Sequence, residues 1–182
     1  MGTTTAALES VGEILRLDLG CGKNKKPGFR GVDSRPFDGV DEVADLRQKW
    51  PWADESVSEV HCSHFLEHLT ARERIHFANE LHRVLVKGGK ATIITPHWAS
   101  CRAYGDLTHQ WPPVSEMWFN YLSKAWRESK APHNDFYTCD FDSTGGYSIR
   151  GDLAARNQEY QMFALQNYKE AAQDTITTLI KR

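Results

Sequence analysis

Several features that would each name a class of protein are missing from this sequence. No apolar run approaches the roughly 18 residues of a membrane span, so a membrane partner is not expected. There is no Cys-x-x-Cys pair: Cys21, Cys62, Cys101 and Cys139 stand singly, which points to reduced thiols and a cytoplasmic setting. Neither sign of charge dominates, since 22 Lys and Arg against 24 Asp and Glu leave a net −2. No overall field therefore draws the chain to nucleic acid or an anionic bilayer, although Lys23, Lys25 and Lys26 form a local basic patch. Met1 to Ser10 lacks the apolar centre of a signal peptide, and Ala6 stands where a myristoylation signal wants Ser or Thr. Repeats and low-complexity tracts are also lacking. With 182 residues, 40% hydrophobic and 25% charged, residues 1–182 are expected to form one domain with a substantial core.

What is present begins at Ile14. The apolar run to Leu19 reads as a buried parallel strand, and Gly20 and Gly22 form a tight turn where backbone can approach a ligand. Phe29 to Val32 reads as a second strand ending in Asp33, a carboxylate suited to the hydroxyls of a ribose. That is nucleotide-type recognition in an open α/β sheet, where ligands bind beyond the carboxyl ends of the strands. A dinucleotide fingerprint is not complete, because Lys25 occupies its third glycine position and Asp33 comes earlier than the usual spacing of about 20 residues. A P-loop is excluded, since no Gly-Lys-Ser/Thr follows Gly22. The path from Gly22 to Phe29 is shorter than the dozen or so residues of a helical crossover, so either the first helix shrinks to a turn, the favoured reading, or one of the first two strands is misplaced.

Further along, Val40 to Ala44 and Val57 to Cys62 read as strands. Thr70 or Ala71 to Leu85 reads as a helix with Ile75, Phe77, Ala78, Leu81, Val84 and Leu85 on one face, closed by Gly88-Gly89 as a C-cap. Lys90 to Thr95 reads as a fifth strand ended by Pro96. Ser115 to Arg127 is expected to be helical, Asp135 to Asp142 a strand before a Gly145-Gly146 turn, Asp152 to Ala172 a long helix, and Thr175 to Ile180 a final strand. This alternation predicts an α/β fold: a Rossmann-like, mostly parallel sheet with helices on both faces and an antiparallel last strand.

Five segments recur in a fixed order: Leu17-Asp18-Leu19-Gly20-Cys21-Gly22, Gly31-Val32-Asp33, Asp45-Leu46, Cys62-Ser63-His64-Phe65-Leu66-Glu67-His68, and Leu81 to Pro96 with Arg83-Val84-Leu85 and Gly88-Gly89. Over residues 12 to 97 this order and spacing resembles the class I S-adenosylmethionine (SAM) dependent methyltransferases. Asn24 departs from the pattern, standing where the family often has a third glycine. The resemblance implies SAM as cofactor and no metal. It also implies a cofactor site at Asp18, Gly20, Cys21, Gly22, Asp33, Ser34, Asp45, Leu46, Ser63 and His64. Asp33 would take the ribose hydroxyls and Asp45 the adenine amino group. Asp18 would either neutralise the cofactor's ammonium or serve as a structural acceptor at the strand end.

Methyl transfer from a sulfonium needs alignment of donor and acceptor and, for weakly acidic acceptors, removal of a proton. Of the eight histidines, His97, His109 and His64 follow the fourth and fifth strands or lie in the next loop, and are the candidate bases. His76 and His82 read as surface positions on the helix. His64-Phe65-Leu66-Glu67-His68 also spells H-x-x-E-H, an inverted zinc-protease motif that needs a regular helix and a third ligand. Zinc hydrolysis through His64, Glu67 and His68 is therefore a remote alternative. Residues 98–150 carry four of the six tryptophans (Trp98, Trp111, Trp118, Trp126) and are expected to cover the substrate side, in keeping with a small-molecule acceptor. Nucleic acid is disfavoured: the Pro-Pro-aromatic motif of DNA amino-methyltransferases is absent after the fourth strand, and no proline precedes any cysteine. The remaining alternative is a SAM-binding module that does not methylate.

Overall fold

The computed structural model describes residues 14–182; the leader and lipid-signal readings at Met1 to Ser10 lie outside them. Seven strands form one sheet in the order β3-β2-β1-β4-β5-β7-β6. They are β1 (Leu15–Leu19), β2 (Arg30–Asp33), β3 (Glu42–Val43), β4 (Val57–Ser63), β5 (Leu85–Pro96), β6 (Phe141–Ile149) and β7 (Ala172–Lys181). The first five pair in parallel, and β7 runs antiparallel to both β5 and β6. The chain leaves β1 towards β2 and β3, then returns to β4 on the other side of β1. This reversal opens a crevice beyond Leu19 and Ser63, where open α/β sheets bind their ligands.

The helices are α1 (Ala71–Val84), α2 (Arg102–Gly105), α3 (Glu116–Asn120), α4 (Lys124–Lys130), α5 (Gly151–Ala154) and α6 (Gln158–Asn167). Only turns join β1 to β2, as the short spacing predicts. The links β2–β3 and β3–β4 contain no helix either. In the last of these, Trp50 and Trp52 fold back onto α1, Trp50 meeting Phe77 edge-on at 5.3 Å. A capping box starts α1, in which the Thr70 hydroxyl accepts from Glu73 N–H while the Glu73 carboxylate accepts from Thr70 N–H. The helix then buries Phe77, Ala78, Leu81 and Val84 against the sheet core.

Four expected elements change. The helix ends at Val84, and Leu85 is already extended and fully buried in β5. Gly88-Gly89 is thus no helix cap; it lies in a bulge where β5 runs from Leu85 to Lys90 while β4 advances only from Val57 to Glu59. Gly88 supplies the positive φ of +74° that this bulge requires. The helix expected over 115–127 breaks at Tyr121–Ser123, where the Ser123 hydroxyl caps α4. In the region expected to hold a strand and a glycine turn, β6 runs straight through Gly145-Gly146, because β7 pairs with both through Thr177 and Ile176. The long helix over 152–172 is two helices, restarted by the Asn157 cap on Tyr160 N–H and stopped before β7. His82 is no plain surface residue: its ring packs edge-on against Phe141 at 5.2 Å, and burial lowers its pKa.

Glu80 ties the helix-free β3–β4 link to α1. Its carboxylate accepts from Trp50 N–H at 2.7 Å and from the Arg83 guanidinium at 2.7 and 2.8 Å. Arg83 holds the Glu80 carboxyl below its ordinary value of 4.5. A depressed folded value stabilises the native state above the unfolded pKa, and that gain is lost as pH falls through the folded value. Glu80→Ala should cost about 1–3 kcal/mol in urea unfolding near neutral pH, and the gap from the unsubstituted protein should close in acid below pH 4.5.

Candidate cofactor site

The site is built on strand-end carboxylates and the glycine turn after β1. Asp18, in β1 and 2% exposed, has one oxygen 2.8 Å from His61 Nδ1, while the other accepts from Lys26 N–H at 2.7 Å. Asp33, at the end of β2, accepts from Gly22 N–H at 2.9 Å and from Arg35 N–H at 3.1 Å. The two acids thereby pin both ends of the turn. Gly20 sits at φ +68°, and a Cβ there would meet the Phe65 ring at 2.5 Å. The ring comes from the segment after β4, so the turn and that segment interlock. Burial, then the neighbouring Asp18 and Asp33 charges, push the Cys21 thiol up to about 11, which keeps it protonated and unreactive.

A cavity of about 240 Å³ opens beyond β2 and β3, lined by Asp33, Ser34, Asp45 and Leu46 together with Arg35, Arg47, Phe65 and His68. Four of the sequence-expected cofactor residues meet in this one cavity. Asp18, Gly20, Cys21, Gly22, Ser63 and His64 are not in its wall; they frame the crevice from the β1 and β4 side. Asp45 forms a two-pronged ion pair with Arg47, with distances of 2.8 and 3.0 Å. The Arg47 hydrogen bonds hold its carboxyl below the ordinary carboxylate range. Arg47, Phe65 and His68 were not in the expected set. Phe65 and His68 lie within the His64–His68 segment, but their approach to β1 and β3 is a product of sheet order.

The family model described as a methyltransferase domain matches residues 33–93, from Asp33 to Ile93. Over that stretch, β2 to β5, the chain is similar to a methyltransferase domain. A SAM-dependent methyltransferase from Archaeoglobus fulgidus superposes with TM-score 0.65 at 18% identity, covering 93% of this chain and 87% of that one. Its counterpart from Mesorhizobium loti gives 0.52 at 17%, covering 96% and 94%. Geranyl diphosphate C-methyltransferase from Streptomyces coelicolor, solved with Mg2+, geranyl diphosphate and S-adenosyl-L-homocysteine, gives 0.51 at 14%, covering 92% and 70%. No curated protein matches the sequence. These three structures share the fold of this chain.

The three candidate bases lie in different settings. His97, 2% exposed, accepts from Ala99 N–H at Nδ1, so its Nε2 carries the proton towards Glu116 at 3.2 Å. Burial raises the Glu116 carboxyl, but hydrogen bonds from His97 and Tyr147 outweigh it and leave the group below its usual range. His109 donates from Nδ1 to the Ala103 carbonyl at 3.2 Å. His64 follows β4 at φ +54°, with its ring between Glu67 (3.2 Å) and Asp174 (3.7 Å). Leu66–His68 form a single 3-10 turn. His64 and His68 therefore do not share a regular helix face, and the inverted zinc-protease geometry is not formed.

The interlock at Gly20 predicts a specific failure. In Gly20→Ala, the methyl group strains a positive φ and collides with Phe65, so unfolding free energy should drop by about 1–3 kcal/mol. SAM binding measured by calorimetry should weaken in the same variant, whereas an alanine at exposed Gly105, where nothing lies within 4 Å, should leave it intact.

Proposed function

We propose that the domain transfers the methyl group of SAM to a small-molecule acceptor in the cytoplasm. The observation that carries this reading is the cavity beyond β2 and β3, beside the reversal of strand order, with Asp33 and Asp45 in its wall. Each carboxylate oxygen has two acceptor sites, so Asp33 can hold the turn and still receive ribose hydroxyls. Asp45 and Leu46 would receive the adenine. The glycine turn would carry the methionine part, and buried Asp18 acts as the acceptor that fixes the turn.

On the acceptor side, a separate cavity of about 420 Å³ is walled by Trp98, Tyr104, Leu165 and Tyr168. Its aromatic wall begins in the segment expected to cover the substrate and is completed by α6 and the residues after it. Such a wall suits a flat or apolar molecule. Alignment at a few ångströms carries most of the chemistry, since the sulfonium is already an electrophile. For proton removal, His64 beyond β4 is favoured by its setting between two carboxylates, where the Glu67 hydrogen bond raises its pKa and so its affinity for a proton, whereas both ring nitrogens of His97 are already engaged.

Asp33→Ala should weaken SAM and S-adenosylhomocysteine binding about 30-fold by calorimetry, the value of hydrogen bonds to a charged acceptor. An unchanged affinity overturns the cofactor placement. In a product-release assay for S-adenosylhomocysteine across a small-molecule panel, His64→Ala should lower turnover about 100-fold or more, with SAM affinity changed far less. Binding of SAM with no product from any acceptor class would instead favour a binding module.

A further inference from the structure

Glu67, His68 and His109 bring three ligand atoms within 4.8 Å of one another, although His109 lies far along the chain from the other two. The surroundings of each group are arranged for a cation. Thr108 Oγ1 donates to Asp106 at 2.7 Å, so its contact with His68 Nδ1 at 3.0 Å is the imidazole N–H donating to the hydroxyl. His109 Nδ1 donates to the Ala103 carbonyl. Both rings are thereby held in the tautomer that leaves the lone pair on Nε2. Orientation of a histidine ligand by a hydrogen bond from its other nitrogen is how protein metal sites fix their imidazoles. The rings stand edge to face with centroids 4.8 Å apart. Glu67 is 4% exposed, and its Oε2 is buried without a hydrogen-bond partner. An orphaned buried carboxylate oxygen is costly, and a cation would satisfy it.

We propose that Glu67, His68 and His109 form a site for a divalent transition-metal ion of the zinc type. Two imidazoles and one carboxylate are a ligand set that binds such ions with one tetrahedral position left for water or a ligand oxygen. At metal–ligand bonds of about 2.0–2.2 Å the donor atoms end ~3.3 Å apart, a contraction that rotation of the partly exposed histidine side chains supplies. The ion would tie the turn after β4 to the 106–110 segment, which Gln110 N–H already joins to the Glu67 carbonyl at 2.8 Å. His68 also lines the cofactor-side cavity, so the clasp would sit between that cavity and the aromatic cover. This site is not implied by methyl transfer and does not rest on it.

The test uses the full-length protein after treatment with a chelator. Calorimetric titration with Zn2+ should show one equivalent bound at micromolar affinity or tighter, and Co2+ should give the intense visible bands of a four-coordinate ion. His68→Gln and His109→Gln should each weaken Zn2+ binding about tenfold or more, and the double variant should lose the Co2+ bands. His133→Gln, on an exposed loop, should change neither. Absence of Zn2+ binding, or equal binding in the double variant, overturns the site. Should the variants not fold, the Co2+ spectrum of the unsubstituted protein decides alone, with the pale bands of the hydrated ion overturning the proposal.

Discussion

The structure depends on two carboxylates placed where a helix would otherwise do the work. The link from β1 to β2 has no helix to satisfy its backbone amides, and buried or half-buried N–H groups without partners are costly. Asp18 takes Lys26 N–H and Asp33 takes Gly22 N–H, so each strand delivers its own closing acceptor. These contacts hold the glycine turn in register with Phe65, which fills the space that the missing Cβ of Gly20 leaves. The same two acids thus serve the fold and stand beside the crevice beyond β1 and β4.

Glu67 has a similar place at the end of β4. Its carboxylate reaches His64, its backbone carbonyl receives Gln110 N–H and the Arg74 guanidinium, and Arg74 in turn holds the carbonyls of Gln110 and Pro112. Through this junction the aromatic segment after β5 is anchored onto α1 and the turn after β4. The coupling is physical: buried donors and acceptors from three parts of the chain satisfy one another, and none can move alone without leaving a partner unpaired.

Reading the chain from its residues worked best where local pattern and tertiary demand agree. The apolar run ending at Leu19, the Gly-x-Gly turn, the acid ending β2 and the amphipathic helix beginning at Thr70 or Ala71 each have a short-range cause, and all stand in the structure. Failures came where a local signal had two meanings. Gly88-Gly89 fits a helix cap or a bulge, and pairing with β4 made it a bulge. Gly145-Gly146 fits a turn or a strand, and β7 made it a strand. Ser123 and Asn157 are cap residues that a reading based on apolar spacing alone passed over.

By itself the sequence determined the strand–turn–acid grammar of the first half, the amphipathic helix, the lack of a helix in the first crossover and the resemblance to SAM-dependent methyltransferases. These rest on contacts between residues near in sequence, where side-chain period and glycine freedom suffice. Only the tertiary structure decided that Asp33, Asp45, Phe65 and His68 share one cavity and that His97 is buried against Glu116. It also decided that His109 meets Glu67 and His68. Those neighbours are set by strand order and by the path of the long segment between β5 and β6, and no local pattern records which distant residues a sheet brings to its edge.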